Sequence, residues 1–132
     1  MADQRAARAD LPRKRSTVTI VDDDPEMREL LRDLLIDQGL HVREADSERL
    51  IEALEAEPPA LVVVDKEMPG PSGLDLLSYI VRRYPAVPVM LITAFGGSEV
   101  EIEAKARGAA GYLEKPFRIS KFLEEIARLV PA

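Results

Sequence analysis

Two hydrophobic periodicities alternate along this chain of 132 residues. Short apolar runs rich in β-branched residues predict buried strands, and longer stretches with apolar residues every three or four positions predict amphipathic helices. The predicted strands lie at residues 17–22, 40–45, 60–64, 87–92 and 110–113. The predicted helices lie at about residues 25–38, 47–56, 74–81, 98–107 and 120–130. This strict alternation favours an α/β fold, a doubly wound parallel sheet of five strands with five helices and right-handed crossovers.

Residues that start helices follow three of the predicted strands. Asp24 is expected to cap the first helix, with Pro25 at its first helical position. Ser47 is expected to cap the second helix. Ser98 and Glu101 have the spacing of a capping box, which predicts the start of the fourth helix.

The composition excludes several kinds of protein. The length fits a single domain of ordinary size, and a hydrophobic share of 46% is typical of a globular chain. Without cysteine, the chain has no disulfide bond, no catalytic thiol and no cysteine-ligated zinc. No apolar stretch has transmembrane length, and no apolar segment of a signal peptide follows the N-terminus. We therefore expect a cytoplasmic protein that does not insert into a membrane.

Charge is unevenly distributed along the chain. Residues 1–16 carry five basic and two acidic side chains, whereas the whole chain has a net charge of −6. The remainder therefore carries −9, which argues against direct binding of nucleic acid. The sequence predicts a basic, disordered leader at 1–16 and one domain at 17–130, with 131–132 as either a C-terminal end or the start of a linker.

Chemically active side chains stand where four of the predicted strands end. Asp22 and Asp23 follow the first strand, and Asp65 follows the third. Thr93 follows the fourth strand and Lys115 the fifth. The carboxyl ends of parallel strands open into one crevice, so we expect these side chains to meet. Three carboxylates, one hydroxyl group and one ammonium group can together hold a divalent cation and accept a phosphoryl group on Asp65.

Four motifs, in this order, resemble the receiver domain of two-component response regulators. They are VDDD at 21–24, DKEMPGPSG at 65–73, ITA at 92–94 and KPF at 115–117. The resemblance covers residues 17–130 and implies a flavodoxin-like fold with strand order 2-1-3-4-5. The stretch ITAFG at 92–96 is similar to receivers of enhancer-binding ATPase regulators.

The resemblance implies a role for each acidic residue. Asp65 is the phospho-acceptor, and it takes a phosphoryl group from the phosphohistidine of a sensor histidine kinase or from a phosphotransfer protein. Asp23 and Asp65 bind Mg²⁺ (or Mn²⁺) directly. Asp22 acts largely through water, and Glu67 supplies its backbone carbonyl to the metal. The chain is then not an enzyme acting on other substrates, since it catalyses only its own phosphorylation and dephosphorylation.

The resemblance also implies how the phosphoryl group is held. Lys115 pairs with the phosphoryl oxygens as a point charge, and the Lys115–Pro116 peptide bond is cis. Thr93 donates its hydroxyl hydrogen to one phosphoryl oxygen. The backbone amides of Lys66 and Ala94 are expected to donate as well.

Thr93 and Tyr112 form the implied switch. As Thr93 moves towards the phosphoryl group, Tyr112 swings inward and changes the surface of helix 4, strand 5 and helix 5, which controls an output partner or domain. The alternative is that Tyr112 is simply packed core.

Homodimerisation through the face around the last two helices is a further hypothesis. Phe95 is bulky and lies two residues beyond Thr93, and we predict that it slows hydrolysis of the acyl phosphate by shielding it from water.

Three other functions fit the sequence less well. A phosphatase of the haloacid dehalogenase class would carry an Asp two residues after the nucleophile, where this chain has Glu67. A pseudo-receiver that only binds partners would usually lack the Asp, Thr or Lys, and this chain keeps all three. A flavin or dinucleotide binder would have a Gly-rich loop after the first strand.

Some assignments stay open at the level of sequence. Met27 and Arg28 are candidates for contact with the kinase, and the equal alternative places Met27 in the core and Arg28 in solvent. His41, the only histidine, is interpreted as a surface residue. The chain is either a stand-alone receiver or the N-terminal piece of a longer regulator.

Overall fold

A five-stranded parallel sheet forms the centre of the computed structural model, which describes residues 16–70 and 72–131. The strands are β1 Thr17–Val21, β2 His41–Glu44, β3 Leu61–Asp65, β4 Val89–Thr93 and β5 Gly111–Glu114. All neighbouring pairs are parallel, in the order β2-β1-β3-β4-β5. This confirms the predicted fold class and strand order. The predicted leader, apart from Ser16, lies outside the described residues, as does the final residue.

In the described part of the chain, five helices cover the two faces of this sheet. They are α1 Pro25–Asp37, α2 Ser47–Ala56, α3 Gly73–Arg83, α4 Ser98–Ala106 and α5 Ile119–Leu129. Val62 and Val64 of β3 belong to the buried cluster that contains α2, α3 and α4, whereas Leu61 and Val63 belong to the cluster with α1 and α5. Successive side chains of a strand face opposite ways, so a strand covered on both faces is apolar almost throughout. None of the described helices has both the length and the apolar character needed to cross a membrane.

At the helix N-termini, one of the three predicted caps is confirmed and two are wrong. The Asp24 carboxylate accepts a backbone N–H in the first turn of α1, as predicted. The cap of α2 is Asp46 rather than Ser47, because Asp46 has the extended backbone of a cap and accepts a first-turn N–H at 2.8 Å. α4 begins after Gly97 without a side-chain cap, so the predicted box at Ser98 is wrong. Gly97 has φ 119°, a backbone conformation open mainly to glycine.

Candidate functional site

A cluster of three carboxylates lies at the edge of the sheet where the strands end. Asp65 is the last residue of β3, and Asp22 and Asp23 directly follow β1, the parallel neighbour of β3. One carboxylate oxygen from each residue lies within 4.8 Å of the others. Asp22 and Asp65 are each only 4% exposed, whereas Asp23 is exposed. Oxygen ligands open to water on one side suit Mg²⁺, which binds one or two carboxylates and keeps several waters.

The same crowding opposes ionisation of these carboxyl groups. Burial raises the pKa of Asp65 from 3.8 to about 6, and the charge of Asp22 adds to the rise. Burial also raises the pKa of Asp22, against the lowering effect of the Asp24 amide and Lys115. A divalent cation among these groups would favour their ionised forms and offset their mutual repulsion. The donor set therefore fits a hard divalent metal ion.

Lys115 brings an ammonium group to the acidic cluster. Its Nζ atom lies 3.5 Å from Asp65 Oδ1 and 3.7 Å from Asp22 Oδ2. The Lys115 amide donates to the Thr93 carbonyl at 2.8 Å, and the peptide bond from Lys115 to Pro116 is cis. The end of β5 thus places a positive charge beside the Asp65 carboxylate, where it can pair with an incoming anion.

The Glu67 side chain forms contacts that the sequence did not indicate. Thr93, the fully buried last residue of β4, donates its hydroxyl hydrogen to Glu67 Oε2 at 2.6 Å. The Ala94 amide donates to Glu67 Oε1 at 2.8 Å. Two of the groups predicted to hold phosphoryl oxygens, the Thr93 hydroxyl and the Ala94 amide, are therefore bonded to a carboxylate in this structure. The signal available in the sequence was only that Glu67 stands two residues after Asp65 in the following loop.

The Lys66 amide, which the resemblance assigns to the phosphoryl group, has a backbone partner in this structure, and its role at the phosphoryl group stays a prediction. That amide donates to the Ile92 carbonyl at 2.8 Å and so continues the hydrogen-bond ladder between β3 and β4. The next amide along the chain, that of Glu67, donates instead to Asp65 Oδ1 at 3.3 Å. The register of the two strands decides this, because Asp65 pairs with Ile92.

Tyr112 and Glu114 connect β5 to the loop before α4. The Tyr112 hydroxyl donates to Glu114 Oε2 at 2.9 Å, and the Gly97 N–H donates to the same oxygen at 2.7 Å. Burial first, and then the bond to Glu114, raise the pKa of Tyr112 to about 12. Tyr112 is half-buried and packs against the cluster that contains α3 and α4. Because Glu114 stands two residues after Tyr112 in one strand, the two side chains share a face, from which the contact could have been predicted.

Gly73 packs against the backbone of the segment that carries Asp65. A Cβ atom at this position would lie 2.5 Å from Lys66 Cα and 2.6 Å from the Asp65 carbonyl oxygen. The Gly73 amide donates to the Lys66 carbonyl at 3.1 Å. The start of α3 therefore packs directly on the backbone that carries Asp65, an approach that only glycine permits.

Arg28 bonds to the backbone of the acidic cluster and is partly exposed, and its contact with a kinase stays a prediction. Its Nη1 atom donates to the Asp22 carbonyl at 2.9 Å, and its Nε atom donates to Glu44 Oε1 at 3.2 Å. Met27 is half-buried against the cluster that contains α1 and α5. His41 is exposed at the start of edge strand β2, as interpreted from the sequence.

Phe95 presents most of its surface to solvent. The residue is 73% exposed, while its N–H donates to Thr93 Oγ1 at 3.0 Å. Its shielding of the phosphoryl group stays a prediction.

Comparisons with known proteins agree with this geometry. The family model described as response regulator receiver domain matches residues 18–127. The chain is similar to response regulator protein FleR of Pseudomonas aeruginosa, with 42% identity over 112 residues that cover 84% of this chain and 24% of FleR. It is also similar to the DNA-binding transcriptional regulator NtrC of Klebsiella pneumoniae, with 34% identity over 118 residues that cover 89% of this chain and 25% of NtrC. The chain thus spans about a quarter of the length of these curated relatives.

A solved structure resembles most of the described fold. The receiver domain of NtrX from Brucella abortus superimposes with a TM-score of 0.80 and 32% sequence identity, covering 85% of this chain and 96% of that domain. This likeness confirms the flavodoxin-like arrangement of the sheet and its helices.

Proposed function

This chain belongs to the response regulator receiver domain family, and on that premise we propose that it is a phospho-acceptor signalling domain with Asp65 as the acceptor. One observation carries the proposal. Asp22, Asp23 and Asp65 form a metal-competent carboxylate cluster, and Lys115 Nζ lies 3.5 Å from Asp65 Oδ1. A nucleophile, its neutralising cation site and a fixed positive charge are thus in one place.

The proposed reaction is transfer of a phosphoryl group from a phosphohistidine. An oxygen of the ionised Asp65 carboxylate attacks phosphorus, and an O–P bond forms as the N–P bond breaks. The imidazole nitrogen of the donor keeps the electron pair of the broken bond and takes up a proton. The donor is a sensor histidine kinase or a phosphotransfer protein. Catalysis comes mostly from positioning and charge stabilisation, and it extends only to the chain's own phosphorylation and dephosphorylation.

Residues around Asp65 would bind the metal ion and the phosphoryl group. Asp22, Asp23 and Asp65 would hold Mg²⁺ or Mn²⁺, with the Glu67 backbone carbonyl as a further ligand. When bound, the ion supplies positive charge that offsets the repulsion between the carboxylate and the phosphoryl oxygens. Lys115 pairs with the phosphoryl oxygens from the end of β5.

Thr93 and Ala94 connect the phosphoryl group to the rest of the molecule. We propose that the Thr93 hydroxyl and the Ala94 amide donate to a phosphoryl oxygen and draw the loop at 94–97 towards Asp65. The bond from Gly97 to Glu114, shared with Tyr112, supports a coupling between that loop and β5. Movement of this bridge would change the surface of α4, β5 and α5.

The proposed output is control of a partner or an attached domain. The similarity to a DNA-binding transcriptional regulator supports control of transcription as the output. We further propose a regulator of the enhancer-binding ATPase type that acts in the cytoplasm. Homodimerisation is proposed through the face of α4 and α5, since Ile102 on α4 is 67% exposed. Light scattering with and without a phosphoryl mimic tests this, and an unchanged mass would refute it.

The acceptor function is tested by intact mass after incubation with acetyl phosphate. Wild type is expected to gain one phosphoryl group in Mg²⁺ and none in excess EDTA. Asp65→Asn is expected to gain none in either condition. A wild type that gains no mass from acetyl phosphate or from a phosphorylated histidine phosphotransfer domain would contradict the proposal.

A further inference from the structure

The Glu67 carboxylate occupies two donors that a bound phosphoryl group would need. It accepts the Thr93 hydroxyl hydrogen at 2.6 Å and the Ala94 amide hydrogen at 2.8 Å. We infer that Glu67 is an internal competitor of the phosphoryl group, whose carboxylate must release Thr93 and Ala94 before the phosphorylated state is complete. This inference rests on the proposed function. It adds that Glu67 lowers the affinity of the site for a phosphoryl group.

Occupation of these donors is exclusive. A hydroxyl group and a backbone amide have one hydrogen each to donate. Thr93 Oγ1 also accepts the Phe95 N–H at 3.0 Å, while its own single hydrogen is donated to Glu67 Oε2. The Thr93 hydroxyl and the Ala94 amide therefore cannot donate to the Glu67 carboxylate and to a phosphoryl oxygen at the same time. One acceptor must displace the other.

Hydrogen bonds and the charge of Lys66 hold the Glu67 carboxylate in this position. Hydrogen bonds to an ionised acceptor are stronger than those between neutral groups. Lys66 Nζ lies 3.3 Å from Glu67 Oε2, and the Glu67 side chain is only 27% exposed. The carboxylate is thus held by the Thr93 hydroxyl, the Ala94 amide and the Lys66 ammonium group.

Release of the carboxylate requires movement of one side chain only. The backbone on either side is held, since the Glu67 amide donates to Asp65 Oδ1 and the Lys66 amide donates to the Ile92 carbonyl. The Lys66 side chain is 23% exposed, close to the value for Glu67, so its ammonium group can stay paired with the carboxylate as both turn towards solvent. Competition can thus be relieved without dismantling the acceptor segment.

Two substitutions at Glu67 separate its charge from its shape. Glu67→Ala removes both acceptor oxygens, whereas Glu67→Gln keeps the shape and presents an NH₂ group to one of the two donors. Beryllofluoride is a suitable probe because it mimics a phosphoryl group on a carboxylate and is not hydrolysed. With Mg²⁺ present, we expect Glu67→Ala to bind it about tenfold more tightly than wild type, because one charged competitor is gone. Glu67→Gln is expected between the two.

Glu26→Gln is the matched control for charge. It removes one carboxylate from the first turn of α1, near the same edge of the sheet, without a bond to Thr93 or Ala94. We expect this variant to bind beryllofluoride like wild type. Its affinity for Mg²⁺ alone should match that of Glu67→Ala, which separates competition at the donors from a general effect on the metal.

The competition also has a signature in the protein without Mg²⁺ or beryllofluoride. The Ala94 amide proton, followed by NMR, should move upfield in Glu67→Ala on losing its carboxylate acceptor and stay in place in Glu26→Gln. Beryllofluoride binding to Glu67→Ala no tighter than to wild type would overturn the competition and leave the proposed function intact. A wild type that neither binds beryllofluoride nor gains a phosphoryl group would instead overturn the proposed function.

Discussion

The Tyr112 hydroxyl group donates to Glu114 Oε2 at 2.9 Å, and the same oxygen accepts the Gly97 amide hydrogen at 2.7 Å. One carboxylate oxygen therefore joins the aromatic residue of β5 to the loop that precedes α4. A Cβ atom at Gly96 would collide with the Tyr112 hydroxyl, so the loop runs close over this pair. The bridge ties the two parts of the proposed switch together in the unphosphorylated protein.

Loss of the Glu114 carboxylate should loosen this bridge. In Glu114→Ala, the Gly97 amide loses its acceptor, and we expect its hydrogen exchange to become about three- to tenfold faster, as for loss of one hydrogen bond. Hydrogen-exchange NMR at fixed pH measures this. Glu103→Ala is the control, since Glu103 pairs with Arg107 at the end of α4 and not with the loop. Equal exchange of Gly97 in wild type and Glu114→Ala would show that the bridge does not restrain the loop.

Removal of the acceptor carboxyl group should stabilise the metal-free fold. The pKa of Asp65 rises from 3.8 to about 6 on folding, so its ionisation costs stability as pH increases through that window. At pH 7 without Mg²⁺, we expect Asp65→Asn to raise the free energy of unfolding by about 1–3 kcal/mol. Near pH 4 the gain should nearly vanish, because the wild-type carboxyl group is then protonated in the folded state.

Urea unfolding with EDTA at several pH values measures the effect of Asp65→Asn. Asp37→Asn, at the exposed end of α1, is the control and is expected to change stability little at any of them. Addition of Mg²⁺ should stabilise wild type more than Asp65→Asn. A gain that is the same at pH 4 and pH 7 would argue against an electrostatic origin of the effect.

Gly73→Ala should destabilise the fold and disturb the acceptor. The added Cβ atom would meet the backbone of Lys66 at 2.5 Å, and backbone cannot move aside as a flexible side chain can. We expect a loss of about 2–3 kcal/mol, at the upper end for overpacking, together with slower phosphorylation from acetyl phosphate.

Gly39→Ala is the matched control for Gly73→Ala. Gly39 has φ 82°, and a Cβ atom added there would meet no other atom within 4 Å. Its cost of about 1 kcal/mol therefore comes from backbone strain alone. That variant should keep the wild-type phosphorylation rate. Equal stability losses and unchanged phosphorylation in both variants would contradict the close support of Asp65 by α3.

Phe95→Ala tests the predicted shielding of the acyl phosphate. If the ring covers the phosphoryl group once the loop has moved, its removal should increase the autodephosphorylation rate severalfold at most. The residue is 73% exposed, so the substitution should leave the free energy of unfolding nearly unchanged. The decay of the phosphorylated intact mass gives the rate, and an unchanged or slower decay would end the shielding hypothesis.

The sheet and the position of the reactive residues were predictable because both follow from the ends of strands. A buried strand such as β3 is apolar until Asp65, and the parallel order of strands then brings Asp22, Thr93 and Lys115 to the same edge. These placements depend on backbone topology, which hydrophobic periodicity specifies well.

Side-chain contacts between distant segments were not predictable in the same way. The bond between Glu67 and Thr93 joins positions 26 residues apart and depends on the path of one loop and on one side-chain rotamer. The backbone partner of the Lys66 amide was not predicted either, because the β3–β4 register, rather than proximity to Asp65, decides it. The cap of α2 is Asp46 rather than the predicted Ser47. Both residue types can cap a helix, and the local backbone conformation determines which one does so.

Chemical trapping of the phosphorylated residue tests the central claim most directly. Borohydride reduces an acyl phosphate to an alcohol, so a phosphorylated aspartate becomes homoserine while free carboxylates stay unchanged. After incubation with acetyl phosphate and Mg²⁺, peptide mass spectrometry should find homoserine in place of Asp65, and only there. Homoserine at Asp22 or Asp23, or unmodified peptides from a chain that has gained a phosphoryl group, would contradict Asp65 as the acceptor.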